Sequence, residues 1–200
     1  MSRFPLKITQ LKGSEITSQL DNLARLRMQI FRDYPYLYDG TMEYERNYLR
    51  TYSEAPESIV VLATCAGQVV GASTGTLLSR ETEEVQAPFI EAGIPVSSVF
   101  YYGESVLLPE YRRDGTGKRF FQDRELHALT FPGIRIAAFC AVERPDNHPH
   151  RPKGYEPLDG FWKSRGYKKT NMRTKFSWKE IDEATESPKP MVFWMREWDR

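Results

Sequence analysis

Glu104-Ser-Val-Leu-Leu-Pro-Glu-Tyr-Arg-Arg-Asp-Gly-Thr-Gly-Lys118-Arg-Phe-Phe121 decides how this chain is read. The apolar run Val99 to Leu108 predicts a strand that Pro109 stops. A short turn follows, and Arg112-x-x-Gly115-x-Gly117 opens a helix expected over Gly115 to Thr130. Glycines let a backbone come close to a ligand. The first N–H groups of a helix have no internal partners and carry partial positive charge. A strand, a glycine turn and a helix start therefore make a cradle for a diphosphate, and Arg112, Arg113, Lys118 and Arg119 add cationic charge. The full G-x-G-x-x-G is absent, so a nicotinamide fingerprint fits poorly, and no Gly-Lys-Ser/Thr makes it a P-loop.

Upstream, Phe4 to Leu11 alternates as a short first strand. Apolar residues recur from Ile16 through Leu20, Leu23, Leu26, Ile30 and Phe31, an amphipathic helix ending near Tyr34-Pro35. After the aromatic loop Tyr34 to Gly40, a second helix is expected from Thr41, as cap, to Tyr52. Ser58 to Ala63 reads as a buried strand, Ala66-Gly67 as a turn and Gln68 to Leu78 as its hairpin partner. Arg80 to Ser97, acidic and broken by Pro88, Gly93 and Pro95, reads as a surface excursion. Downstream come a strand over Arg135 to Val142, a loop over Glu143 to Gly160, and a short helix over Leu158 to Arg165 closed by Gly166. Lys175 to Trp178 and Met191 to Trp198 read as a closing antiparallel pair. The order predicts an α/β (α+β) domain over residues 1–200, with a mixed, mostly antiparallel central sheet flanked by helices on both faces.

The chain has 200 residues with 28 Lys+Arg against 27 Asp+Glu, so no overall charge draws it to nucleic acid or anionic membrane. With 40% hydrophobic and 28% charged residues, disorder, collagen-like and coiled-coil character are excluded. Two cysteines, Cys65 and Cys140, are too few for a disulfide scaffold or a Cys-based metal site. Without an apolar run of about 20 residues or a signal-like start, the expectation is a soluble cytoplasmic protein.

The quoted stretch resembles the GCN5-related N-acetyltransferase (GNAT) superfamily. Leu107-Leu-Pro109-Glu-Tyr111, Arg112-Arg-Asp-Gly115-Thr-Gly117 and Phe120-Phe121 follow that family's central motif, and Phe161-Trp-Lys-Ser-Arg-Gly166-Tyr167 follows its later aromatic helix ending in Gly-aromatic. The resemblance implies a GNAT-like fold, acetyl-CoA as co-substrate, no metal, and a small-molecule or peptide amine as acceptor. It implies that the backbone at Val106 and Leu107 pairs with the pantetheine arm. Arg112, Arg113, Asp114, Gly115, Thr116, Gly117 and Lys118 are then the diphosphate loop. Asp114 departs from the family, which often has a base there, and Asp123 and Arg124 stand at commonly apolar helix positions. Trp162 stands where the family often has a tyrosine acid.

Glu104, a carboxylate in an apolar strand, is the candidate base or ammonium anchor; its bland alternative is a strand-edge glutamate paired with an arginine. Tyr155 is the candidate acid. Tyr34, Tyr36, Tyr38 and Tyr102 are candidate acceptor-site residues, with Tyr44 beside them. Simple alternation puts Tyr102, not Tyr101, on the face of Glu104, and a bulge would reverse that. The resemblance implies such a bulge in this strand, splaying it from its neighbour to open a slot for the arm, which the sequence itself does not show. His148 and His150 read as a solvated loop, His127 as surface and Cys140 as core. Phe193, Trp194 and Trp198 suit either a homodimer contact or the core. Trp162 also supports a second reading, a CoA-binding sensor without turnover.

Overall fold

The computed structural model describes residues 5–199, so Phe4, the expected start of the first strand, lies outside them. The strands are β1 (Lys7–Lys12), β2 (Ile59–Cys65), β3 (Gln68–Leu77), β4 (Val99–Tyr101), β5 (Ser105–Leu107), β6 (Ile136–Val142), β7 (Lys168–Trp178) and β8 (Ser187–Glu197). The helices are α1 (Leu20–Phe31), α2 (Met42–Glu54), α3 (Glu83–Glu91), α4 (Thr116–Ala128) and α5 (Asp159–Ser164), with a 3-10 segment Gly13–Gln19 leading into α1. One sheet runs β1-β2-β3-β4-β6-β8-β7, with β5 paired to β3 beside β4. Among the described residues only β4 and β6 pair in parallel; the other pairs are antiparallel. The expected mixed, mostly antiparallel sheet is present.

Alternation in β2 sends Val60 and Leu62 to one face and Ile59, Val61 and Ala63 to the other. Leu23 and Leu26 of α1 and Leu49 and Tyr52 of α2 bury against the first set. Phe120, Phe121 and Ala128 of α4 bury against the second. Thr41 caps α2 as expected, its Oγ1 accepting from Tyr44 N at 3.3 Å.

Several expectations need correction. The excursion Arg80–Ser97 contains α3, whose Val85 and Phe89, one turn apart, bury against Val99, Tyr101 and Phe193. Pro88 sits inside that helix and hid it. Strand β7 begins at Lys168, not Lys175, because its residues alternate between exposed and partly buried and leave no apolar signature. His127 is buried, not on the surface: its Nε2 lies 2.7 Å from the Glu57 carbonyl and its ring stands edge-on to Phe100 and Phe131. Phe193 and Trp194 are buried in the core and offer no dimer contact. Cys140 is buried, its Sγ 3.0 Å from Tyr101 Oη, and burial pushes its thiol up to about 12. Among the described residues no helix is long and apolar enough to cross a membrane.

Candidate active site

The expected single strand Val99–Leu108 is two strands. Thr76 and Leu77 of β3 pair with Tyr101 and Phe100, whereas Gly71, Ala72 and Ser73 pair with Leu107, Val106 and Ser105. Between these segments the register slips by one residue, a β-bulge over Tyr102–Glu104. β4 continues beside β6 as far as the bond from Tyr102 N to Ala138 O, 2.8 Å. β5 then leaves β6 and keeps only β3 as a partner. The sheet splays, and one edge of β5 faces the gap.

The slip reverses the alternation. Tyr102 lies on the α4 side, packed against Phe121 and Tyr167, while Glu104 turns to the α1 and α2 side. Glu104 shares its face with Tyr101 rather than Tyr102, contrary to simple alternation. Gly103 is the residue that permits this. A Cβ there would lie 1.9 Å from Tyr52 Oη and 2.6 Å from Thr74 Oγ1.

Arg124, 1% exposed, reaches into the splay from α4. Its Nη1 donates to Thr74 O and Glu104 O, each at 3.1 Å, its Nη2 to Ser105 Oγ at 2.7 Å and its Nε to Phe120 O at 3.2 Å. Its guanidinium lies 4.1 Å from the Tyr102 ring centroid and 4.9 Å from that of Phe121. Burial lowers its pKa. The polar residue at a commonly apolar helix position thus binds backbone carbonyls where the ladder breaks.

Beside the splay lies a cavity of about 360 Å³. Glu104, Tyr102, Tyr34, Tyr36, Tyr155 and Trp162 are among its lining residues. Tyr38 is not; it forms a β-bridge with Glu180 and packs toward Tyr44. Tyr155 stands edge-on to Tyr34 at 4.7 Å, and burial raises its phenol pKa. Arg144 fixes the aromatic loop through Pro35 O at 2.7 Å and Tyr36 O at 3.2 Å, and through Glu180. Trp162 packs on Phe139 and Trp194.

Glu104 is 7% exposed and Arg27 is 8% exposed; Arg27 Nη1 lies 2.6 Å from Glu104 Oε2, and Arg27 Nε lies 2.5 Å from Glu45 Oε2. Tyr48 Oη donates to Glu104 Oε2 at 3.1 Å, and Glu104 Oε1 has no partner among the described residues. The arginine partner exists, and it is bound to two buried carboxylates at once. Two buried carboxylates, Glu45 and Glu104, share this one guanidinium, an environment that favours a further cation. Sequence reading missed Arg27, Glu45, Tyr48, Tyr52 and Glu81. Arg27 and Glu45 carry a signal, each being a charge on the apolar stripe of its helix.

The diphosphate-loop candidates lie past the far end of β5, away from the cavity lining. Arg112 Nε donates to Leu107 O at 2.9 Å, tying the loop to the strand. Arg113 and Gly115 both adopt left-handed backbone, with φ of 73° and 83°. A non-glycine residue there is uncommon and strained. A Cβ on Gly117 would meet only Phe161 Cζ, at 3.6 Å, and one on Gly115 would meet nothing within 4 Å. The loop is open where a diphosphate would lie, so the residues fit acetyl-CoA. Asp114, Gly115 and Thr116 border a hollow of about 450 Å³ shared with Leu6 and Ile8; Lys118 is exposed. Val106 is buried with its side chain among the α1 and α2 core, leaving its backbone to the strand edges.

No protein-family model matches the chain, and no curated protein matches it in sequence. Solved structures do match. NAA60 of Arabidopsis thaliana, solved with a bisubstrate analogue, is 13% identical with a TM-score of 0.62, over 96% of this chain and 100% of that one. A GNAT-family acetyltransferase of Streptococcus pneumoniae is 11% identical with a TM-score of 0.59, over 97% and 100%. The yncA structure of Salmonella typhimurium, which holds its cofactor acetyl-CoA, is 8% identical with a TM-score of 0.58, over 98% and 95%. The chain has the fold of these acetyltransferases.

Proposed function

We propose that this chain, with its GNAT fold, is a GNAT-superfamily N-acetyltransferase that moves an acetyl group from acetyl-CoA to a primary amine by direct attack on the thioester. The observation that carries the proposal is the one-residue slip at Tyr102–Glu104, which frees an edge of β5 and opens a cavity beside a buried carboxylate. The backbone of Val106 and Leu107 pairs with the pantetheine arm. The loop from Arg112 through Arg113, Asp114, Gly115, Thr116 and Gly117 to Lys118 holds the diphosphate with its N–H groups and cationic side chains.

An alkyl amine has a pKa near 10.4, so at pH 7 only about one molecule in 10³ is neutral, a cost of about 4 kcal/mol. Glu104 anchors the ammonium and takes its proton, and a positioned base contributes ~10²–10⁴ in rate. Tyr155 gives a proton to the departing thiolate. Burial keeps its phenol protonated, the state a donor needs. Tyr34, Tyr36 and Tyr102 shape the acceptor end. The acceptor is a small molecule or a peptide amine.

The test is acetyl-CoA titration followed by thiol release with a panel of primary amines, for wild type and Glu104→Gln. Binding with amine-dependent thiol release that falls about 10²-fold in the variant supports the reading. Binding without release from any amine favours the second reading, a CoA-binding sensor. Trp162, occupied with Phe139 and Trp194, and the Arg27 ion pair on Glu104 are the observations that favour it.

A further inference from the structure

Four oxygens from α2, the bulge and the segment after β3 form an unbroken line. Glu104 Oε2 lies 3.1 Å from Tyr48 Oη, Tyr48 Oη 2.9 Å from Tyr52 Oη, and Tyr52 Oη 3.2 Å from Glu81 Oε1. Filling these three contacts takes three hydrogens, and the two phenols bring only two. The third must sit on a carboxyl. Glu104 faces Arg27 at 2.6 Å, whereas Glu81 has no ion-pair partner among the described residues. The shared hydrogen therefore belongs at the Glu81 end. Resting on the acetyltransferase reading above, we propose that Glu81 terminates a proton relay: Glu104 takes the acceptor amine's proton and Tyr48 and Tyr52 pass it on to Glu81.

The step balances when it starts from the line in which Glu81 has already released its hydrogen to water and is ionised. An N–H bond breaks at the amine and an O–H bond forms at Glu104. Glu104 gives a proton to Tyr48 Oη, Tyr48 gives its own to Tyr52, and Tyr52 gives its own to Glu81 Oε1. One proton has moved, the charge of Glu104 is restored and that of Glu81 is neutralised. Glu81 is partly exposed and releases the proton to water.

Surrounding structure serves this line. Tyr48 and Tyr52 stand one helical turn apart on α2. Gly103 leaves the space that the Tyr52 hydroxyl fills. Burial holds both phenols well above their ordinary pKa, so they pass protons on without ionising. The groups facing Glu81 are Tyr48 and Tyr52 from α2, Glu104 from the bulge, Arg27 from α1, Tyr101 from β4 and Cys140 from β6. Burial is the main influence and pushes Glu81 up to about 7, so the chain can be loaded and emptied near neutral pH.

Glu81→Gln keeps a donor and an acceptor but cannot take a proton; Tyr52→Phe cuts the line. Two measurements test the relay. Carbon-13 NMR of glutamate-labelled protein is expected to show one carboxyl titrating near pH 7 that is missing in Glu81→Gln. The kcat–pH profile with an active amine is expected to rise through about pH 7 in wild type. In both variants kcat falls about 10-fold and that inflection disappears, while acetyl-CoA affinity stays within about 2-fold. Glu81 titrating in the ordinary carboxylate range, or both variants keeping the wild-type profile, overturns the relay. If wild type acetylates no amine, the acetyltransferase reading fails and the NMR titration alone judges the shared proton.

Discussion

Replacing Arg124 with Met tests whether the buried guanidinium holds the splay or merely occupies it. The side chain donates four hydrogen bonds and meets two aromatic faces. At about 1.5 kcal/mol for each bond to a charged group, net of desolvation, and about 1 kcal/mol for each ring, its loss costs roughly 8 kcal/mol. Against that, the buried methionine side chain returns about 3 kcal/mol of apolar burial. The variant is expected to be less stable by about 5 kcal/mol. With a slope of about 2–3 kcal/mol per molar urea, the unfolding midpoint falls by about 2 M. Acetyl-CoA affinity should fall as well, because Glu104 O and Ser105 Oγ lose their shared partner where β5 begins. Arg124→Lys keeps the charge but cannot span Thr74 O, Glu104 O and Ser105 Oγ together, so it should resemble the methionine variant. A methionine variant as stable as wild type with unchanged acetyl-CoA binding would refute the reasoning, since buried ionic groups are sometimes replaced at no cost.

Gly117→Glu should abolish acetyl-CoA binding in a calorimetric titration while circular dichroism and unfolding midpoint stay near wild type, because the added Cβ has room and the carboxylate repels a diphosphate. Arg27→Met leaves Glu45 and Glu104 buried without their cation and should cost about 3–5 kcal/mol in urea unfolding. Glu81→Gln should stabilise the protein at high pH. The folded carboxyl titrates near 7 and the unfolded one near 4.3. Folding therefore binds a proton between those values, and wild-type stability falls as pH rises through that window. The glutamine variant should match wild type near pH 4 and exceed it by roughly 2–3 kcal/mol above pH 8, the partial exposure of Glu81 taken into account, as read by urea midpoints across pH.

The diphosphate loop is readable because Pro109, Tyr111, Arg112, Gly115 and Gly117 fall in one contiguous run and each has a local backbone reason. The sheet is readable for a similar cause: β2, β3 and β6 are apolar enough to announce burial. What the sequence hid depends on distance or on register. Arg27, Glu45, Tyr52 and Glu81 come from segments far apart in the chain, and no spacing rule links them. Arg27 lies one turn after Leu23, and Glu45 one turn before Leu49, so a charge interrupting an apolar stripe was the trace they left. Arg124 left the same trace one turn after Phe120. Glu81, in a polar turn, left none. The bulge was hidden because it depends on what β3 pairs with, and pairing is not a property of the strand alone.

That bulge explains why the site is built as it is. A strand running straight from Val99 to Leu107 would stay hydrogen-bonded on both edges, with no edge free to receive another extended chain. It would also turn Glu104 to the face where Phe100 and Tyr102 pack, an apolar face that holds no arginine to meet a carboxylate except Arg124. One extra residue changes both outcomes. It detaches β5 from β6, and it rotates Glu104 toward Arg27 and Tyr48. The extra residue must also be very small, because Tyr52 brings its hydroxyl to the place a side chain would fill. Cavity, carboxylate orientation and the path to Glu81 thus share one cause in the register of β3 against its neighbours.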